Sequence, residues 1–177
     1  MLDQNDKNLI PAELETAVRR LTCLNGINDY IPQVGSNLVY ARSESSTIED
    51  AAALTGRIIS TIEGPLACGK IAFGASRHLA SVVIEAQSLN GEIRAGLNIR
   101  ADYEIARRLK EIGLTVVTIP GKMEGEGCPV TQYIRSTEKL ADAYVHPGDF
   151  GVEPTTTIIA RHPQRLLEIM AEIVAIE

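Results

Sequence analysis

The sequence predicts an α/β domain of three layers, α/β/α, with helices on both faces of a mixed sheet. Three observations predict it. Segments with apolar residues at helical spacing alternate along the chain with short segments of strand type. Residues 57–73 instead hold two strand-like runs around Gly64-Pro65, a hairpin pattern that breaks a purely parallel order. The length of 177 residues, 45% of them hydrophobic, is enough for one domain with a buried core. No internal repeat, linker or low-complexity segment divides residues 1–177, so a single domain is expected, with residues 1–29 as an N-terminal helical extension.

In chain order, residues 1–10 are polar, and Pro11 suits the first turn of a helix. Leu14, Ala17, Val18, Leu21 and Leu24 follow at helical spacing, and Gly26 can end that helix. Residues 31–37 form a loop rich in turn residues, and Leu38 to Ala41 is a strand. Ser46 and Glu49 have capping-box spacing before a short helix expected over Ile48 to Leu54, closed by Gly56. Arg57 to Glu63 and Leu66 to Phe73 are the two hairpin strands, and Gly74 turns the chain into a helix over Leu79 to Leu89.

Beyond the Asn90-Gly91 turn, Ile93, Ala95, Leu97 and Ile99 alternate with Arg94, Gly96, Asn98 and Arg100, the pattern of a half-buried strand. Asp102 caps a helix carrying Ile105, Leu109 and Ile112, which stops at Gly113. Leu114 to Ile119 is a strand, 120–128 a glycine-rich loop of lid type, and Pro129 opens a short helix. Strands at Ala143 to His146 and Thr155 to Ala160 follow, with Pro147 to Gly151 turning between them. Pro163 starts a C-terminal amphipathic helix bearing Leu166, Leu167, Met170, Ile173 and Val174. The apolar stripes of the two terminal helices allow a homodimer interface.

Composition narrows the function. Aromatic residues make up 4% and Trp is absent, so the core is aliphatic. A net charge of −6 disfavours a nucleic-acid or anionic-membrane surface. Within Arg57 to Arg100, however, five Lys/Arg stand against three Asp/Glu, a mildly basic middle suited to a small anionic ligand. Cys23, Cys68 and Cys128 form no metal or disulfide pattern, as expected for reduced thiols in a cytoplasm. No run of about 18 apolar residues exists to span a membrane, and the polar N-terminus lacks a signal-peptide core.

The strongest chemical signal is Phe73-Gly74-Ala75-Ser76-Arg77-His78, a strand-to-helix turn. Gly74 allows the tight turn, and the first helix amides of such a turn lack intrahelical partners and favour an anion. Ser76 can donate a hydroxyl or cap the helix, and Arg77 and His78 stand beside it. Arg57 begins a strand, where its side chain can reach a cleft at the sheet edge. Asn98 and Arg100 point the same way, two residues apart, as a phosphate or heterocycle clamp or as a solvated strand face. Asn37 can bond a ligand or its own turn. No metal site is read from the sequence.

Five segments in order resemble the archaeal-type thiamine-phosphate synthase (ThiN) domain family. They are Ile31-Pro-Gln-Val-Gly35-Ser-Asn37, Gly56-Arg57-Ile58, Phe73-Gly74-Ala75-Ser76 with His78, Asn98-Ile99-Arg100, and Gly148-Asp-Phe-Gly151-Val-Glu153-Pro154. The resemblance spans about residues 30–176. It implies an aldolase/epimerase-like fold and the joining of hydroxymethylpyrimidine diphosphate to thiazole phosphate, giving thiamine phosphate and pyrophosphate. By motif it places catalysis on Arg57 and His78. From the residues themselves, Gly74, Ala75 and Ser76 are expected at the departing diphosphate and Asn98 and Arg100 at the second phosphate, with Asn37 and Glu153 as further substrate-binding candidates. Mg²⁺ is the expected companion of the diphosphate, although no carboxylate cage is visible. Family members also occur fused behind a pyrimidine kinase, and others sense thiamine phosphates behind a DNA-binding module. With about 30 residues before the matching segments, no such module is expected there, which favours the enzyme. A sugar-phosphate aldolase or epimerase would share the fold but need a metal held by histidines, and His78, His146 and His162 include no His-x-His pair.

Overall fold

The computed structural model describes residues 4–123 and 125–176. Seven strands form one mixed sheet in the order β5-β2-β1-β6-β9-β8-β7. They are β1 (Leu38–Ala41), β2 (Ala51–Leu54), β5 (Ile71–Phe73), β6 (Ala95–Arg100), β7 (Val116–Thr118), β8 (Ala143–His146) and β9 (Thr155–Ala160). Neighbours are antiparallel except β7 and β8, which are parallel. A separate two-stranded ribbon consists of β3 (Ile58–Thr61) and β4 (Gly64–Ala67).

Helices α1 (Gln4–Thr22), α3 (Tyr103–Glu111) and α5 (Pro163–Val174) cover one face. Ile10, Leu14, Val18 and Leu21 of α1 meet Leu166, Met170 and Ile173 of α5 over Leu38, Leu97 and Ile158 of the sheet. Because side chains alternate along a strand, Val39, Ala41, Ala51 and Ala53 face the other way. They pack under Leu79, Ala80 and Val83 of α2 (Arg77–Leu89). Val82 and Ala86 of α2 share a further cluster with Val130 and Ile134 of α4 (Pro129–Thr137), Tyr144 and Ile159. The result is the three-layer α/β/α arrangement with a mixed sheet.

Several elements differ from the sequence reading. Residues 48–54 are not a helix: Ile48–Asp50 is a single 3-10 turn, and Ala51–Leu54 is strand β2, buried throughout. Alanine favours helix, but three alanines also fit the crowded space between β1, β5 and α2, and tertiary context prevails over propensity. The capping box that forms is Thr47 with Asp50, one residue beyond the expected pair. The hairpin at 57–73 is shorter than expected, with Ile58 opposite Ala67 and Thr61 opposite Gly64. Ile71–Phe73 leaves the ribbon to pair with β2 in the main sheet. Pro11 lies inside α1, which starts earlier than expected. Gly96 lets α2 approach the sheet: a Cβ there would sit 2.7 Å from Cγ2 of Val83. The apolar stripes of α1 and α5 are buried within the chain, which leaves neither free for a dimer interface. No helix among the described residues is long and apolar enough to cross a membrane.

Candidate functional site

On the α2/α4 face, a cleft of about 580 Å³ lies above β6, β9 and β8. Its floor is set by strand register. Asn98 stands directly opposite Thr157, and Thr155 opposite His146. Leu79, Val82 and Val130 form an apolar wall, and Arg57, Ser76, His78 and Glu153 stand around the floor. Grooves of about 640 Å³ along α3 and 680 Å³ beside α1 are larger. Neither contains a histidine or a residue of the strand-to-helix turn, so the chemistry points to the smaller cleft.

Arg57 reaches the cleft through a chain of hydrogen bonds. Asn98 Oδ1 accepts from the Asn37 amide at 2.7 Å, and Asn98 Nδ2 donates to the Gly35 carbonyl at 3.0 Å. The Asn37 side chain donates to the carbonyls of Leu54 and Gly56 at 3.0 and 3.2 Å, and accepts from the amides of Leu38 and Leu54 at 2.9 and 3.2 Å. It is thereby committed to joining β1 to the segment that carries Arg57. One guanidinium N–H of Arg57 donates to the Val34 carbonyl at 2.9 Å. Both oxygens of Glu153 accept from the amides of Gln33 and Val34, each at 2.9 Å. The 33–35 loop is thus held from two sides. Gly35 is required between them, since it has φ +82° and a Cβ would lie 2.9 Å from that of Arg57. Arg57 makes no ion pair among the described residues.

The turn into α2 is built as its sequence implies, with one addition. Gly74 has φ +77°, and Ser76 too is left-handed, at φ 58° and ψ 59°. A serine there costs about 1 kcal/mol or more. Ser76 makes no side-chain cap, and the amides of Arg77, His78 and Leu79 have no acceptor among the described residues. These first-turn N–H groups are the kind that bind anions. His78, exposed on this first turn, lines the cleft.

Of the residues singled out from sequence, Arg57, Ser76, His78, Asn98 and Glu153 come together at the cleft. Asn37 lies beneath it, 4% exposed, as a scaffold. Gly74 and Ala75 shape the turn without lining the cleft. Arg100 turns aside and pairs with Asp102 at 2.9 Å. The cleft also contains residues that sequence reasoning did not select: Lys122 and Met123 from the glycine-rich loop, Cys128 at the entry of α4, and His146, Asp149 and Thr157. Among these, the loop residues carried a sequence signal, the 120–128 loop being of lid type, and Asp149 lies in the Gly148 to Pro154 segment of the resemblance; His146 and Thr157 carried none. His78 and His146 share the cleft, whereas His162 caps α5 and packs edge-on to Tyr40 on the opposite face. The three histidines therefore do not converge on one point.

This architecture matches known proteins. The family described as "Thiamine-phosphate synthase ThiN" matches residues 13–172. The chain is 30% identical to the thiamine-phosphate synthase ThiN of Methanothermobacter thermautotrophicus, over 91% of this chain and 92% of that protein. It is 43% identical over 82 residues to the bifunctional thiamine biosynthesis protein ThiDN of Methanocaldococcus jannaschii, covering 46% of this chain and 20% of that protein. Among solved structures, the C-terminal domain of a phosphomethylpyrimidine kinase superimposes with a TM-score of 0.82 at 29% identity, over 94% of this chain and 99% of that one. An L-fuculose-1-phosphate aldolase from Thermus thermophilus shares the fold alone, with a TM-score of 0.53 at 11% identity over 93% and 89% of the two chains. The chain belongs to the thiamine-phosphate synthase ThiN family.

Proposed function

We propose that the protein is a thiamine-phosphate synthase that condenses hydroxymethylpyrimidine diphosphate with thiazole phosphate. The carrying observation is that a guanidinium with no ion pair among the described residues and a helix N-terminus with no side-chain cap line one cleft in a chain of this family. The reaction breaks the bond between the pyrimidine methylene carbon and the diphosphate oxygen. It forms a bond from the thiazole nitrogen to that carbon and releases pyrophosphate. Electron donation from the aminopyrimidine stabilises positive charge on the methylene carbon. The protein's main task is then to stabilise negative charge on the departing diphosphate. In this reading the remaining Arg57 donors and the first amides of α2 bind the diphosphate. His78 donates a hydrogen bond or proton to the leaving oxygen. The apolar wall of Leu79, Val82 and Val130 limits water at the reacting carbon.

The cleft suits a Mg²⁺ ion that arrives with the diphosphate better than one held in a protein cage. Asp149 Oδ1 accepts from the Phe150 amide at 2.7 Å, while its other oxygen has no partner among the described residues. The Glu153 oxygens are already committed. No cluster of three or more His, Cys, Asp or Glu suited to a metal occurs among the described residues. One free carboxylate oxygen fits an ion that keeps several waters and binds mainly to phosphate. The ion would supply charge neutralisation of the leaving group.

The relation to a kinase C-terminal domain and to a bifunctional protein supports a fused context in which the pyrimidine is phosphorylated by the neighbouring unit. The three free thiols fit a cytoplasmic enzyme, and the Methanothermobacter and Methanocaldococcus relatives support the archaeal type. Any homodimer would use exposed apolar surface such as Ile59, Ile62 and Leu66 of the β3–β4 ribbon. The test is product formation from both phosphorylated precursors and Mg²⁺, with thiamine phosphate detected as fluorescent thiochrome. Turnover that disappears in Arg57 and His78 variants is expected. Tight binding of thiamine phosphate without turnover would replace this reading with a sensor.

A further inference from the structure

The geometry points to His146 as the residue that reads the pyrimidine ring, through a hydrogen bond from Nε2–H to a ring nitrogen. The inference rests on the synthase reading. His146 is the last residue of β8 and is 6% exposed, yet it lines the cleft. Its Nδ1 accepts from the Gly148 amide at 3.0 Å. A backbone N–H can only donate, so Nδ1 must accept, and the neutral ring carries its proton on Nε2. Nε2 has no hydrogen-bond partner among the described residues and is not among the sealed, unpartnered polar atoms. It is therefore a fixed donor meeting the cleft.

The amide that sets this tautomer is itself held in place. Gly148 has φ +86°, and a Cβ there would lie 2.8 Å from the Val152 carbonyl. The following turn is closed by reciprocal bonds between Asp149 and Val152 at 3.1 and 2.9 Å. Beside His146 on the same sheet face stand Thr155, directly opposite it, and Thr157, diagonal to it. Their hydroxyls have no partner among the described residues. One fixed donor next to hydroxyl acceptors matches an aminopyrimidine, which presents ring-nitrogen acceptors beside an exocyclic amine. It does not match the thiazole. The one strong acceptor in that ring is the nitrogen that must attack, and a hydrogen bond to it would hold back the nucleophile. Neutral imidazole also withdraws less charge than imidazolium from a ring that must donate electrons.

The test compares binding of hydroxymethylpyrimidine diphosphate and of inorganic pyrophosphate by calorimetry, for the wild type and for His146→Phe and His146→Gln. The expected result is about tenfold weaker binding of the pyrimidine diphosphate by His146→Phe, the effect of one buried hydrogen bond, with pyrophosphate affinity unchanged. His146→Gln, which keeps a donor, should recover part of the loss. Of the two pyridine analogues that each replace one ring nitrogen by C–H, the one lacking the nitrogen bonded by His146 should bind wild type and His146→Phe alike. Equal loss for pyrophosphate would overturn the assignment in favour of a phosphate or structural role. Unchanged binding of the pyrimidine diphosphate in both variants would overturn it as well. A wild type that binds the pyrimidine diphosphate no better than pyrophosphate would instead remove the synthase reading itself.

Discussion

Arg57 and Glu153 hold the same loop from opposite sides, yet their prospects differ. Glu153 spends both oxygens on the amides of Gln33 and Val34, whereas Arg57 spends one donor on the Val34 carbonyl. Arg57→Ala should therefore weaken pyrophosphate binding by about 1.5–3 kcal/mol, roughly ten- to a hundredfold, as for other hydrogen bonds to charged groups. Calorimetry with pyrophosphate checks this, and unchanged affinity would remove Arg57 from the diphosphate site. His78 is exposed at the first turn of α2 and has no structural bond to lose from its ring among the described residues. His78→Ala should lower kcat by roughly 10²–10⁴-fold, the range for a general acid, with a smaller change in KM. Steady-state kinetics separate the two, and a wild-type kcat would leave His78 without a chemical role. Both residues were legible in the sequence because a turn, a strand start and a helix start are local features. The commitments of Asn37 and Arg100 were not legible. The Asn37 partners Leu54 and Gly56 come near only once the chain has folded, whereas Asp102 stands two residues from Arg100 and competes locally, which the alternation of the strand does not reveal. His146 stayed hidden for the same reason, since a strand pattern does not tell which ring nitrogen the next loop will satisfy.

At the scale of elements, the misread segment 48–54 shows where local rules end. An alanine run following a capping-type sequence is helix by propensity, but the space between β1 and β5 takes it as a strand. The capping chemistry survives in shortened form. Burial alone would raise the Asp50 carboxyl, but hydrogen bonds from the Ser46 and Thr47 amides and the Thr47 hydroxyl, with the Arg42 charge, hold it below its ordinary value. A carboxylate with a lowered folded-state pKa stabilises the fold above its unfolded value. That contribution is lost as pH falls through the folded value. Asp50→Ala should therefore cost about 1 kcal/mol near neutral pH, as for other lost caps. Its difference from wild type should shrink once pH drops below about 4, the ordinary carboxylate range. Urea unfolding across pH measures both, and a difference that persists undiminished at low pH would place the effect in packing instead. The loop after β8 is a second such element. Gly148→Ala places a side chain at φ +86° against the Val152 carbonyl. It should cost at least about 1–2 kcal/mol, the ordinary penalty of the left-handed region. Because the amide of Gly148 orients His146, affinity for the pyrimidine diphosphate should fall with stability, whereas a purely local strain would lower stability alone.

Across the whole molecule, one sheet separates stability from function. On the α1/α3/α5 face, a continuous apolar cluster joins three helices to strands β1, β6 and β9. On the α2/α4 face the apolar residues fall into two smaller clusters, and the cleft lies on this side. The sequence showed that both faces would be covered, since helices at both ends and in the middle carry apolar stripes. It did not show which face would stay open, because that depends on which helices the crossovers deliver to each side. The alternation in β9 makes the separation testable. Thr155 and Thr157 face the cleft, while Ile158, fully buried, faces α1 and α5. Ile158→Ala should cost about 2–5 kcal/mol, the range for truncating a large aliphatic core residue. At a temperature where the variant remains folded, its kcat and KM should stay near wild type. Val82→Ala removes apolar wall from the cleft and should raise KM even where its stability loss is smaller. Denaturant unfolding and steady-state kinetics on the two variants decide the matter. If Ile158→Ala altered kcat while folded, the sheet would be transmitting strain from its closed face to the cleft. The two faces would then be one mechanical unit, not a foundation and a workplace.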